Sequence, residues 1–230
     1  MVHQVGSNGG GKSSTVSLLS RLFDPTSGEI LIDNKPLKDY IISDIREAQA
    51  ILRQDYQHFP FSIAENIAIG SPGSDEPEAI RQAARLADAQ DLIEEKGYEA
   101  NVKPVKTLET GWELRGSGLE QDSKKVEKPL ELSGGQWQRL ALARLFMRAG
   151  SERVRLVVAD EPSASLDPKV EYGAWSVGRL VVAQQALKLV RKKKTEIFRR
   201  LRTLGGERKK TRIFITHRFG HLTNFADLIL

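Results

Sequence analysis

VHQVGSNGGGKSSTVSLL, residues 2–19, decides the fold. Val2 to Val5 reads as a very short strand. It runs straight into a glycine loop, and Val16, Leu19 and Phe23 then mark one face of a helix that Asp24-Pro25 ends. Gly6 to Ser13, GSNGGGKS, fits the pattern G-x-x-x-x-G-K-[ST]. Small residues between a strand and a helix let backbone N–H groups wrap phosphates at the positive end of the helix dipole. Gly6, Ser7, Asn8, Gly9, Gly10, Gly11 and Ser14 are the candidate wrapping residues. Lys12 is placed to reach β and γ phosphates, and the Ser13 hydroxyl to ligate Mg²⁺.

Working outward, the strands LVVA (156–159) and IFI (213–215) read as buried parallel strands. Glu29 to Asp33 reads as a short strand leading into a turn at Asn34-Lys35. Ser62 and Glu65 have capping-box spacing, and a helix starting at Asp75-Glu-Pro-Glu shares Ile80, Ala83, Ala84 and Ala87 on one face. Residues 97–129 are polar and read as a loop with weak structure. Strands and helices alternate at both ends around a mostly helical middle. The expected fold is α/β, a P-loop NTPase parallel-sheet core with an inserted helical subdomain. The core is expected over about 1–56 and 154–230, and the helical subdomain over about 57–150.

Two further stretches carry chemistry. LVVADE, 156–161, is an apolar strand ending in two acids. At the C-terminal edge of a parallel sheet Asp160 would sit beside a bound metal, and Glu161 would then be placed to polarise a water. LELSGGQWQRLALAR, 130–144, begins a helix whose Trp137, Leu140, Ala141 and Leu145 form one apolar stripe. Ser133 and Gln136 again have capping-box spacing, with Ser133 the N-cap. A capped helix does not need Gly134 and Gly135 in its first turn, where each costs up to ~1 kcal/mol relative to alanine. Glycines there leave N–H groups bare, which is how an anion site is built. A lone His217 at the end of ITHR, or Gln54 in ILRQDYQ, is an ordinary polar residue when read alone.

Composition bounds the rest. The 230 residues contain no cysteine, so disulfides and thiolate metal sites are excluded. No apolar run reaches membrane-spanning length, and the first residues given lack the apolar stretch of a signal peptide. The net charge is +5, which invites a nucleic-acid reading. Segment 173–195 alone contributes +6 through Arg179, Lys188, Arg191, Lys192, Lys193 and Lys194, leaving −1 for the remainder. The basicity belongs to one segment, and no nucleic-acid partner is expected.

Taken in order, these pieces resemble the nucleotide-binding domain of ATP-binding cassette (ABC) transporters over nearly the whole chain. FDPTSGEI and SIAENI are similar to its exporter-type branch. The resemblance identifies Gly6–Ser13 with the Walker A loop, Gln54 with the Q-loop glutamine and Mg²⁺ ligand, and LSGGQ, 132–136, with the signature. It identifies 156–160 with Walker B, Glu161 with the catalytic glutamate, SASLD (163–167) with the D-loop and His217 with the switch histidine. It implies ATP and Mg²⁺ as ligands, with Ser13, Gln54 and Asp160 on the metal and Glu161, His217 and Lys12 in catalysis. It also implies a second nucleotide-binding domain, in a homo- or heterodimer, whose γ-phosphate would meet Ser133, Gly134, Gly135 and Gln136. The transmembrane domain would lie outside this chain, which alone is expected to be soluble and, in a transporter, to work at the cytoplasmic face of a membrane.

The sequence departs from that family in three ways. The adenine-stacking aromatic that the family carries upstream is missing, and the chain stops soon after His217, so it reads as truncated at both ends. KKVEKPLE replaces the acidic exporter loop before LSGGQ. Asp160 and His217 are 57 positions apart, longer than the family norm, and removing 173–195 joins DPKVEY to EIFRRLRTL as one helix. That segment is therefore expected to be foreign, a retained intron or an incorrect gene model, rather than a tolerated surface insertion. The competing functional readings are a soluble ABC ATPase acting on nucleic acid or ribosomes, and an inactive nucleotide-binding fragment.

Overall fold

The structure is a computed structural model that describes residues 2–5, 10–73, 76–97, 102–103, 130–162, 192, 195–203, 210–216 and 227–229. The chain divides into two compact units, residues 1–56 with 145–230 and residues 57–144.

The first unit is built on a five-stranded sheet. Its strands are β1 (Val2–Val5), β4 (Gln49–Leu52), β7 (Leu156–Asp160), β8 (Thr211–Thr216) and β9 (Leu228–Ile229), in the order β4-β7-β8-β1-β9. Every pairing is parallel. A parallel sheet must be covered on both faces, which accounts for the unbroken apolar run of β7. Val157, Val158 and Ala159 are fully buried.

Helix α1 (Lys12–Leu19) packs on this sheet through Val16, which meets Val158 of β7 and Ile215 of β8, with Ile51 of β4 against the same cluster. The helix is shorter than its apolar spacing suggests. It stops at Leu19, and Phe23 is exposed. Arg21 turns left-handed at φ 49°, its N–H bonds Leu18 O, and the N–H of Leu22 bonds Ser17 O. That pair of bonds is a Schellman ending, normally built on glycine. Arg21 offsets its backbone strain by donating Nη1 to Tyr40 O at 2.9 Å.

A separate hairpin joins β2 (Leu31–Ile32) to β3 (Lys35–Pro36). Its turn falls on Asp33 and Asn34, one residue earlier than the sequence suggests. Both have positive φ, 49° and 62°, as a type I′ turn demands. Helix α2 (Ile42–Glu47) leads into β4 and escaped sequence reading because six residues show little periodicity.

The second unit holds helices α3 (Ile63–Ala68), α4 (Pro77–Leu86) and α5 (Gln90–Lys96), and the parallel pair β5 (Val102–Lys103) and β6 (Leu130–Glu131). The strand β5 falls inside the stretch read as a loop. The capping box at α3 forms in both directions: Glu65 N–H donates to Ser62 Oγ at 3.1 Å, and Ser62 N–H to Glu65 Oε2 at 2.8 Å. The Ser62 backbone N–H first, and its side chain second, hydrogen-bond the charged form and hold the Glu65 carboxyl below its usual value. Ile80, Ala83, Ala84 and Ala87 are all buried, as the α4 spacing predicts.

Helix α6 (Gly134–Ala149) is the longest described, and the unit boundary falls between its Arg144 and Leu145. It buries more than the expected stripe. Trp137, Leu140, Ala141 and Leu145 are buried, and so are Leu142, Ala143, Phe146 and Met147. Its arginines remain polar by ending other segments. Arg139 Nη1 bonds Asp88 O beyond α4, and Arg148 Nη2 bonds Arg46 O and Glu47 O at the end of α2, each at 3.1 Å. Cations at helix C-termini satisfy orphan carbonyls and suit the dipole. Residues 195–203 are also helical, with Ile197, Phe198 and Leu201 buried. No helix among the described residues is long and apolar enough to cross a membrane.

Candidate functional site

The packing of α1 on the sheet positions the site. Ser13 lies three residues before Val16, so it projects from nearly the same helix face one turn nearer the N-terminus. Asp160 lies two residues after Val158, on the same face of β7. Because Val16 meets Val158, Ser13 is carried over Asp160. Ser13 Oγ donates to Asp160 Oδ2 at 3.2 Å. The two residues line a cleft of ≈ 380 Å³ with Val16, Arg53, Gln54 and Asp55. Gln54 reaches it from the turn that follows β4.

The acids differ in their settings. Asp160 is buried, which pushes its carboxyl pKa up; the Ser13 hydrogen bond pulls against that, and the Glu161 carboxylate adds to the rise. Lys12 and Arg53 act to lower it. Such a buried carboxylate gains from a cation. Glu161, also buried, begins the turn out of β7 at φ 49°, with its N–H bonded to Ile215 O of β8 at 3.0 Å. A non-glycine residue held left-handed costs about 1–2 kcal/mol. Strain of this kind clusters where a side chain must be aimed.

Gly11, at φ 77°, is the N-cap of α1 and makes the turn into Lys12. An L side chain is strained there, although a Cβ would meet nothing within 4 Å. Its carbonyl receives the N–H of Thr15 at 3.0 Å. Gly10 and Ser14 are exposed beside it. Gly6, Ser7, Asn8, Gly9, His217 and the stretch 163–167 lie outside the described residues.

At the start of α6, Ser133 N–H donates to Gln136 Oε1 at 2.8 Å and Gln136 N–H to Ser133 Oγ at 3.3 Å, the expected capping box. A Cβ added at Gly134 would meet nothing within 4 Å, and the residue is exposed. The chain's own packing therefore gives no reason for a glycine there. Sequence reading missed Arg53 and Asp55. The signal available was strand alternation, which puts Arg53 on the face of Ile51, toward α1.

The oxygen donors suit Mg²⁺. A hydroxyl, a carboxylate and an amide converge, and Mg²⁺ is commonly held by one or two carboxylates plus substrate phosphates. Among the described residues no cluster of three His, Cys, Asp or Glu could hold a metal.

A glycine-turned helix start, a hydroxyl and a strand-end acid at the C-terminal edge of a parallel sheet are the arrangement of the P-loop NTPase fold. Residues 1–164 match the ABC transporter family, and the chain belongs to it. Nucleotide-binding domains of this family are ATPases. The chain is 35% identical over 185 residues to the heterocyst differentiation ATP-binding protein HepA of Nostoc sp. strain PCC 7120, covering 78% of this chain and 26% of that protein. It is 31% identical over 195 residues to a Staphylococcus aureus protein described as a multidrug export ATP-binding/permease protein, covering 84% of this chain and 27% of the relative. The chain thus spans about a quarter of the length of these relatives. A bacterial Atm1-family ABC exporter solved with ATP bound superimposes with a TM-score of 0.67 and 27% identity, over 100% of this chain and 31% of that one.

Proposed function

We propose that the chain is the ATP-binding and ATP-hydrolysing motor domain of an exporter, closing with a second nucleotide-binding domain around two ATP. The observation that carries the reading is the Ser13–Asp160 contact at 3.2 Å, beside the buried Glu161. Gly6 to Ser14 wrap the phosphates and Lys12 meets the β and γ groups. Ser13, Gln54 and Asp160 hold Mg²⁺, which when bound neutralises charge developing on the transferring phosphoryl group. Glu161 accepts the proton of the attacking water, and His217 hydrogen-bonds the γ-phosphate. Ser133, Gly134, Gly135 and Gln136 cover the γ-phosphate held by the partner domain, which accounts for a glycine that the fold itself does not need. The export role named for the Staphylococcus aureus relative, and the likeness to a solved exporter, support placing the domain at the cytoplasmic face of a membrane, beneath a transmembrane part outside this chain.

Mant-ATP titration with a phosphate-release assay tests the reading. Lys12→Ala should abolish binding, since the β and γ phosphates lose their charge-assisted partner. Glu161→Gln should bind ATP and lose turnover. Equal ATP affinity of wild type and Lys12→Ala would remove the loop from the site.

A further inference from the structure

One cation in the cleft has no place in the family's motifs. Arg53 is the cation among the described residues that line it. Its Nη1 donates to Ser17 Oγ at 3.4 Å. Ser17 Oγ donates to Ser13 O at 3.1 Å, and Ser13 Oγ to Asp160 Oδ2. Arg53 Nε donates to Asp55 Oδ1 at 3.0 Å, an exposed pair that water screens. The guanidinium is therefore held against the second turn of α1 by one long hydrogen bond and one exposed ion pair. What it brings to the cleft is mainly its charge, one position past the Leu52–Ala159 pair of β4 and β7 and so beside Asp160 in the same lining. Arginine stays charged at every working pH.

We propose that Arg53 couples metal binding to nucleotide binding: its fixed positive charge keeps a divalent cation out of the Ser13–Gln54–Asp160 cleft until phosphates enter with it. This rests on the nucleotide function proposed for the same cleft. In the empty cleft a dication gains the buried Asp160 carboxylate, on which the charges of Lys12 and Arg53 already act, and meets the guanidinium in the lining. Once triphosphate is present, its several negative charges outweigh the guanidinium and the metal enters with it. Arg53 acts on the metal through its charge, so it is a positioning residue and not a catalytic one.

The test is Mn²⁺ binding to the full chain, followed by electron paramagnetic resonance, without nucleotide and then with a non-hydrolysable ATP analogue. Without nucleotide, Arg53→Gln should bind Mn²⁺ tighter than wild type by on the order of tenfold, because one unit charge no longer repels a dication nearby. Arg53→Lys keeps the charge and should behave as wild type. Adding Asp160→Asn to Arg53→Gln should remove the gain and so locate it. With the analogue bound, wild type and Arg53→Gln should converge. Arg53→Met serves in place of Arg53→Gln if the latter is unstable by circular dichroism. Equal Mn²⁺ affinity of wild type and the neutral variant without nucleotide overturns the inference, as does a gain shared by Arg53→Lys. Mant-ATP binding in EDTA is read separately: its absence in wild type overturns the nucleotide reading, whatever the Mn²⁺ result.

Discussion

Ser13 and Asp160 stand 147 positions apart in the chain and 3.2 Å apart in space, the hydroxyl of one donating to the carboxylate of the other. Helix α1 places the first and strand β7 the second, and the Val16–Val158 contact holds them in register. If this pair holds the metal, Ser13→Ala should lower ATP affinity roughly tenfold or more in Mg²⁺, the scale of a lost bond to a charged group. In EDTA the same variant should bind ATP nearly as wild type does. Equal losses in both conditions would mean that Ser13 meets the phosphates and not the metal.

The turn at Glu161 predicts a trapped state. Glu161→Gln preserves size and removes the base, so hydrolysis should fall on the order of 10²–10⁴-fold. ATP then stays bound and holds two chains together, since each nucleotide is ligand to both. Ser133→Arg puts a bulky side chain at the exposed start of α6 and should block that closure. Light scattering with Mg-ATP should show a dimer for Glu161→Gln and a monomer for the double variant. A dimer in both would show that the α6 start does not face a partner's phosphate.

Asn66 predicts a stability result in the second unit. It is fully buried, and its Nδ2 donates to Phe59 O and Phe61 O at 3.1 Å and to Ser62 O at 3.0 Å. Arg144 Nη2 donates to its Oδ1. Asn66→Ala leaves carbonyls and a guanidinium without that partner, at a cost of about 2–3 kcal/mol. Urea denaturation reads this as a lower midpoint, and a change under about 0.5 kcal/mol, the scale of ordinary surface substitutions, would show that water replaces the amide.

His58 predicts acid sensitivity. It stacks on Trp137 with ring centroids 4.2 Å apart. Burial first, and the Arg144 charge second, push its pKa below 6.5. The unfolded state therefore takes up the proton first as pH falls. The stability linked to neutral His58 is present above about 6.5 and lost as pH falls through the lower folded value. His58→Phe keeps the stack and removes the titration, so its urea midpoint should fall less than wild type's between neutral pH and the onset of acid unfolding. Parallel pH profiles would rule the residue out.

The segment 173–195 is proposed to be foreign to the domain. Its deletion should raise stability and leave ATP binding intact. A strongly salt-dependent affinity for DNA or RNA in the parent, lost on deletion, would instead make it a nucleic-acid arm.

Several elements are legible in the sequence because their signals are local. The capping boxes of Ser62–Glu65 and Ser133–Gln136 need only a spacing of three, and both form. The buried positions of α4 follow from helical periodicity, and β7 and β8 from unbroken apolar runs. The family is legible too, in the order of the motifs from the glycine loop to His217. Other elements are decided by contacts between distant segments. Helix α1 ends at Leu19 because Arg21 can turn left-handed and bond Tyr40 O, which no pattern within the helix announces. Helix α6 buries Leu142, Ala143, Phe146 and Met147 beyond its stripe, which its own periodicity does not announce. Arg53 has no motif to mark it in the sequence, and only the parallel pairing of β4 with β7 sets it beside Asp160. Periodicity fixes which face a side chain takes; register between strands far apart in sequence, set by core packing, fixes what that face meets.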